Sequence, residues 1–512
     1  MPTQRFADAY AANGPGHAFG VSGSGQSLDL IDALERHGVV FHPVQFEGSA
    51  AIMAGTIGRL SGRAGLAISI KGPGLANMVP GLAACRFEAM PCIAAAEAYA
   101  PEVPASRAHK RIDQATLTAA AAKGRRWLGL DAPDYDDLAA WAAAESPGPV
   151  LAELAGAPGP ADAAVPTPIA APDFGAALAL LEAAERPVVI AGTYADRQGW
   201  SQRLNGLQIP VFSTAAAKGV VHEALPHAAG VYTGVGLELA PESTLIAAAD
   251  LVVGLGLRAG EVLAAKPFGV PAINVDVIDG EGEEGFAFAG RTAQGADALD
   301  ILARKAWGVA ETAKATGLLR SHMRQPGAWL PAHALAVLAD AFPTGMRIVV
   351  DTGYFCTIAE HAWTAPKTAW CLSSGSGRYM GIGLVQAVGA ALYDPTVPTV
   401  LIAGDGGLGP FFAEARLAAR AKAPLAILHM SDGGYGSVRT RAIAAGLTQK
   451  PLLTPDTDWR PVFEAIGFAG AEARDSEALA RALDDWQPAE APLFVTLPFD
   501  PEAYQAMVTG IR

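Results

Sequence analysis

Short aliphatic and β-branched runs recur along the chain, each followed by a longer stretch with apolar positions at helical spacing. In the first third these are Leu66-Ala-Ile-Ser-Ile70 and Pro91-Cys-Ile-Ala-Ala95. In the middle they are Pro187-Val-Val-Ile-Ala-Gly192, Leu251-Val-Val-Gly254 and Ala272-Ile-Asn-Val-Asp276. In the last third they are Arg347-Ile-Val-Val-Asp351, Val400-Leu-Ile-Ala403, Ala426-Ile-Leu428 and Leu493-Phe-Val-Thr496. Nearly continuous apolar runs predict strands buried on both faces, and their alternation with helices predicts parallel sheets covered on each side. The expected fold is α/β, with three doubly wound parallel-sheet domains. Gly156 to Pro172 holds Pro158, Pro160, Pro166, Pro168 and Pro172, a density that excludes a helix or central strand and predicts an extended linker. A second boundary is expected over Gly317 to Pro331, ahead of an amphipathic helix over His333 to Phe342. The expected domains are 1–160, 174–315 and 328–512.

Length agrees with this division, since 512 residues at about 150 per domain give about three. Hydrophobic residues make up 51%, enough for sizeable cores and too many for a disordered chain. Charged residues are only 17%, a composition that suits a subunit hiding area in an oligomer. The formal charge is −14, from 37 basic and 51 acidic residues, which argues against a nucleic-acid-binding body. The four cysteines, Cys85, Cys92, Cys356 and Cys371, form no C-x-x-C pair and no disulfide framework. No leader-like apolar segment opens the chain and no 18-residue apolar run spans it, so a cytoplasmic protein without membrane partners is expected.

Parallel sheets bind ligands at the carboxyl ends of their strands, where helix N-termini offer free N–H groups. After the run Val400 to Ala403 comes Gly404-Asp405-Gly406-Gly407. A helix over Phe411 to Ala421 and a strand over Leu425 to Leu428 follow, then Ser431-Asp432-Gly433-Gly434-Tyr435-Gly436. Two acidic residues thus follow two successive strands, each beside glycines. Carboxylate oxygens there suit Mg²⁺ or Ca²⁺, and the glycines let backbone approach a diphosphate. The spacing, 25 residues from Gly407 to Ser431 between Gly406 and Asp432, resembles the diphosphate-binding motif of thiamine diphosphate enzymes.

That resemblance implies metal ligation by Asp405, Asp432 and the carbonyl of Gly434. Asp432 stands where the family usually has Asn, which adds a negative charge and implies tighter metal binding. Ser376-Gly-Arg-Tyr-Met-Gly-Ile-Gly-Leu384 resembles the segment under the thiazolium, with Met380 as the residue that bends the cofactor. Asp351-Thr-Gly-Tyr-Phe-Cys-Thr357 resembles the loop that contacts aminopyrimidine and diphosphate, which implies cofactor contacts for Thr352 and Gly353; Tyr435 is a further candidate. In the first third, Glu47 at a strand end, before the small-residue helix Gly48 to Gly55, matches the activating glutamate. Its implied task is to share a proton with N1′ of the aminopyrimidine and so promote the C2 ylid, for which a buried carboxyl of raised pKa is suited. Lys71-Gly-Pro-Gly-Leu-Ala-Asn77 and Phe19-Gly-Val-Ser-Gly-Ser-Gly25 match loops of the same pyrimidine-binding domain.

The whole chain is similar to the acetolactate synthase and benzoylformate decarboxylase type, with pyrimidine-binding, central and diphosphate-binding domains. The family places the cofactor between two subunits, which implies an obligatory homodimer and commonly a homotetramer. The central Gly254-Leu-Gly-Leu-Arg-Ala-Gly260 lacks the G-x-G-x-x-G spacing and an acidic ribose partner, so FAD, which some relatives bind there, is the weaker expectation. On the substrate side stand Ser24, Lys71 and His109. The last lies in Arg107-Ala-His-Lys-Arg-Ile-Asp-Gln114, a basic cluster that could hold a second anionic group of the substrate or form a solvated or interface loop. The family's histidine before the Gly-x-Gly loop is absent, with Ile70 and Lys71 in its place. The leading expectation is a non-oxidative 2-oxo acid decarboxylase acting through an enamine. An acetolactate synthase-like carboligase is the alternative. Retention of Glu47, Asp405 and Asp432 argues against a third, a catalytically silent subunit.

Overall fold

The computed structural model describes residues 2–128, 135–155, 173–325, 327–454 and 457–512. The proline-rich stretch Gly156 to Pro172 lies outside the described residues. The chain forms two compact units: Met1–Pro168 with Leu384–Thr396 and Phe411–Pro424, and Ile169–Gly383 with Val397–Pro410 and Leu425–Arg512.

The first unit holds a six-stranded parallel sheet of β1 (His17–Gly20), β2 (Val40–Pro43), β3 (Gly65–Ser69), β4 (Cys92–Glu97), β5 (Arg125–Leu128) and β6 (Pro149–Leu154), in the order β2-β1-β3-β4-β6-β5. Every residue of β3, β4 and β6 is buried, as expected for strands covered on both faces. The edge strands β2 and β5 are partly exposed and correspondingly more polar. The helix Glu47–Ser61 is buried from Glu47 to Gly58, because its small residues let the helix Pro73–Phe87 approach closely. A methyl at Gly81 would overlap the Gly48 carbonyl.

The second unit holds two sheets. The central one comprises β7 (Pro187–Ala191), β8 (Val211–Ser213), β9 (Ala228–Val231), β10 (Leu251–Leu255), β11 (Ala272–Val275) and β12 (Gly290–Thr292), ordered β12-β11-β10-β7-β8-β9. The last comprises β13 (Arg347–Val350), β14 (Cys371–Ser373), β15 (Thr399–Gly404), β16 (Leu425–Ser431), β17 (Ala469–Glu472) and β18 (Leu493–Pro498), ordered β14-β13-β15-β16-β18-β17. Among the described residues the strands of these sheets pair in parallel, and helical segments separate consecutive strands except β8 and β9, so the fold is three α/β sheets, as expected.

The first and last sheets share one strand order and the central one has another, yet each reverses direction at an interior position. The reversals fall between β1 and β3, β7 and β10, and β13 and β15, the positions where open α/β sheets hold ligands. Two elements differ from expectation. The strand expected to end at Leu428 continues to Ser431, because His429 and Met430 pair with Thr496 and Leu497, which carries Asp432 to the sheet's carboxyl edge. The helix expected over Phe411 to Ala421 begins as a 3-10 turn, Phe412–Glu414, and becomes α-helical only over Ala415–Ala421.

Candidate functional site

At the reversal between β13 and β15 lies a cavity of about 170 Å³. Thr352, Gly353, Met380, Gly404, Asp405, Gly406, Asp432, Gly434 and Tyr435 all line it. They come from four separate stretches of chain. Asp405 follows β15, and its carboxylate accepts from His429 Nε2 at 3.0 Å, Ser431 Oγ at 2.8 Å and the backbone N–H groups of Asp432 at 3.1 Å and Gly433 at 3.0 Å. Burial disfavours its charge, but the bonds from His429 and Ser431 outweigh it and hold the carboxyl below its ordinary range. Burial and the neighbouring Asp405 push Asp432 up to about 6.

Two buried carboxylates facing one cavity are a standing repulsion that a cation relieves. Among the described residues no group of three or more His, Cys, Asp and Glu side chains could hold a metal ion. A cation here would therefore draw on these two carboxylates, a carbonyl and the ligand's own oxygens, the mixed shell that Mg²⁺ accepts. The Gly433-Gly434 turn is fixed from outside: Tyr435 N–H donates to the Leu452 carbonyl at 2.9 Å and Thr454 N–H to that of Gly433 at 3.2 Å. Met380 stands 40% exposed at the cavity's rim.

Gly407 is not in the lining. It lies against Asp351, and a methyl there would overlap the Asp351 carboxylate. Asp351 follows β13 and accepts from Gly381 N–H at 2.9 Å and Gly383 N–H at 3.2 Å, so it pins the segment that carries Met380. Burial raises its carboxyl from 3.8 to about 6. A raised native pKa means that the group's stabilising contribution is full below pH 3.8 and is lost as pH rises through 6. Acidifying from pH 7 to 5 should therefore add about 1 kcal/mol from this group. Asp351→Asn keeps an oxygen acceptor and should flatten the profile by that amount, measured as the thermal midpoint across the range. Equal slopes in the two proteins would contradict the assignment.

In the first unit, Glu47 is 7% exposed at the start of its helix. Asn77 Nδ2 donates to its Oε2 at 3.1 Å, and Gly74 leaves its other oxygen uncrowded. The preceding turn is clamped by Glu414, 1% exposed, whose carboxylate accepts from Gln45 N–H at 3.0 Å and Phe46 N–H at 3.1 Å. Ser24 lies between Gly23 and Gly25, both of which abut Glu97. Glu97 accepts from Ser27 Oγ at 2.7 Å and from Lys71 Nζ at 2.5 Å. Burial opposes its charge, but these partners outweigh it and lower its pKa.

Lys71 is thus ion-paired, and it also lies over the Tyr99 ring, 5.0 Å from the centroid, with the Arg111 guanidinium at 5.5 Å. Lys71, Tyr99, Arg111 and Gln114 line a second cavity of about 170 Å³. Gln114 Oε1 accepts from Gly72 N–H at 3.1 Å, which holds the 110–114 segment against the Lys71-Gly-Pro-Gly loop. Gly72 has φ +66° and a side chain there would strike the Lys110 carbonyl, so glycine is required. His109 is exposed and outside that lining. Glu97, Glu414, His429 and Asp351 escaped sequence reasoning as site residues. Each acts on a candidate through a bond from a distant stretch of chain, a signal that spacing cannot carry.

At the central reversal, Glu261 caps the short helix Thr193–Arg197. It accepts from Thr193 N–H at 2.9 Å, Thr193 Oγ1 at 2.5 Å and Thr214 Oγ1 at 2.8 Å. Arg258 pairs with Asp276 at 2.8 Å beside it. Among the described residues no helix is long and apolar enough to cross a membrane.

Comparison with known proteins agrees with this arrangement. Residues 3–117 match the N-terminal binding domain of thiamine pyrophosphate enzymes, 174–284 their central domain and 351–497 their C-terminal binding domain. The chain is 25% identical to the catabolic acetolactate synthase of Raoultella terrigena, with 96% of this chain and 93% of that protein covered. It is 26% identical to a Pseudomonas aeruginosa protein named "Probable 2-ketoarginine decarboxylase", covering 91% and 88%. A 2-hydroxyacyl-CoA lyase of Oryza sativa subsp. japonica is 25% identical, covering 97% and 94%. With all three domains in order along its length, the chain belongs to the thiamine pyrophosphate enzyme family.

Proposed function

We propose that the chain is a thiamine diphosphate- and Mg²⁺-dependent, non-oxidative decarboxylase of a 2-oxo acid. The observation that carries this reading is the cavity between β13 and β15, where two buried carboxylates, a glycine-rich loop and Met380 converge. When bound, the cofactor supplies a nucleophilic carbon for the 2-oxo carbonyl and a sink for the electrons left by CO₂. Asp405, Asp432 and the Gly434 carbonyl would hold the metal, while Gly404 and Gly406 let backbone approach the diphosphate and Gly407 leaves room for the Asp351 carboxylate. Thr352, Gly353, Met380 and Tyr435 orient the rest of the cofactor. Glu47, held by Asn77 and by the Glu414 clamp, shares a proton with the aminopyrimidine N1′. Ser24, Lys71 and His109 serve the substrate. A central domain without FAD is proposed, because its Gly254 to Gly260 segment lacks the G-x-G-x-x-G spacing.

The proposed domain limits are 1–160, 174–315 and 328–512, and the proposed active form is a cytoplasmic homodimer that assembles into a homotetramer. The second reading, carboligation with a carbonyl acceptor, is favoured by the acetolactate synthases among the relatives. A CO₂-release screen over 2-oxo acids, with and without aldehyde acceptors, separates the two. Release without acceptor is expected of a decarboxylase and release only with acceptor of a carboligase. No release from any 2-oxo acid by cofactor-loaded protein would contradict both.

The screen should include substrates bearing a second carboxylate, sulfonate or phosphonate. Lys71→Ala is expected to raise KM for these about tenfold, the effect of one charge-assisted hydrogen bond, and to spare monoanionic substrates. An equal loss on both classes would show that Lys71 serves only as the partner of Glu97.

A further inference from the structure

Tyr504 enters the same cavity from the helix Pro501–Ala506. It is 2% exposed, and its hydroxyl has no hydrogen-bond partner. The Phe355 backbone N–H faces the oxygen without closing a bond, and nothing accepts the hydroxyl proton. The ring is held firmly, edge-on to Tyr354 at 6.2 Å and beside Phe499 at 5.8 Å. Its helix is fixed by Asp500, whose side chain accepts from Glu502 N–H at 3.0 Å and Ala503 N–H at 2.8 Å. The hydroxyl is therefore held in place without a partner, rather than left free to turn toward solvent.

Buried hydroxyls in native proteins nearly always have partners, and one without is destabilising until something completes it. The other polar groups of the cavity do not complete it. Asp405 already accepts from four donors, and neither it nor Asp432, whose charges both act on the phenol, closes a hydrogen bond with the hydroxyl. A phenol with an unused proton calls for an acceptor, and the cavity beside Asp405 and Asp432 suits an anion that arrives with a cation.

We infer that Tyr504 is a ligand-binding residue whose hydroxyl donates to a phosphate oxygen of the diphosphate held in this cavity. The inference rests on the diphosphate reading of the cavity given above. It implies opposite effects on the empty and the filled protein, because the hydroxyl is a burden in one and a donor in the other.

The test is Tyr504→Phe, which removes one oxygen and keeps the ring. The ligand-free protein should keep or raise its thermal midpoint. Its affinity for inorganic pyrophosphate with Mg²⁺, and for thiamine diphosphate with Mg²⁺, should fall about tenfold or more by titration calorimetry. Unchanged affinity for both ligands would overturn the inference. So would a midpoint that falls together with affinity, since that marks a structural role. Asp405→Ala separates the two levels of the argument. If wild type binds neither ligand, the diphosphate reading fails and takes Tyr504 with it. If wild-type binding is lost in Asp405→Ala but unchanged in Tyr504→Phe, only the role of Tyr504 is overturned.

Discussion

Glu47→Gln should bind thiamine diphosphate with near wild-type affinity and lose about 10²- to 10⁴-fold in turnover, the range for removing a positioned proton-transfer group. The geometry makes this a selective lesion. Glu47 starts a helix buried from end to end of its first three turns, and Glu414 holds the preceding turn through backbone amides that the substitution leaves untouched. Glutamine keeps the side chain's size and its acceptor toward Asn77, so the fold and the cofactor's seat should survive. What is lost is the ability to hold and release a proton. Exchange of the cofactor's C2 hydrogen with solvent, followed by proton NMR, should slow in step with turnover. Full turnover in the variant would remove Glu47 from the mechanism.

Asp405→Ala should weaken cofactor binding by more than about 100-fold, beyond the effect of losing a residue that only supports a metal ligand. Asp405 is the hub of the cavity's end: His429, Ser431 and two backbone amides converge on its carboxylate. Alanine removes the proposed metal ligand and leaves those donors facing a void. The unfavourable charge pairing with Asp432 would also disappear, so the protein without cofactor should not lose stability in proportion. Loss of binding with little loss of thermal midpoint is the expected pattern, measured by titration calorimetry beside thermal unfolding.

How much of this was legible in the sequence differs by element. Interior strands such as β3, β10 and β15 are buried at nearly every position and stand out as apolar runs. The edge strand β5, Arg125-Arg-Trp-Leu128, is partly exposed over its first three residues, and β17 is mostly exposed; neither carries a run that marks it. The three-residue strands β8, β12 and β14 are too short for any period to show. At the site, Asp405 and Asp432 were legible because strand ends and glycines frame them, and nine of the expected cofactor residues line one cavity.

The residues that steady them were not legible. His429 sits inside the apolar strand β16, where a buried histidine looks like ordinary core. Glu414 reaches Gln45 across 369 positions. Glu97 is the last residue of β4 and pairs with Lys71 26 positions away, so the sequence shows Lys71 as a spare cation although it already has a partner. Tyr504 lies in a short C-terminal helix that carries no motif. Its importance comes entirely from where the fold puts its hydroxyl.

The central claim is that this chain holds thiamine diphosphate through a metal at the end of β15 and β16. The most direct measurement is a calorimetric titration of the wild-type protein with thiamine diphosphate, in Mg²⁺ and again after chelation. Saturable binding that needs the metal and disappears in Asp405→Ala is the predicted result. Binding that is absent in Mg²⁺, or that persists unchanged after chelation and in Asp405→Ala, would contradict the account.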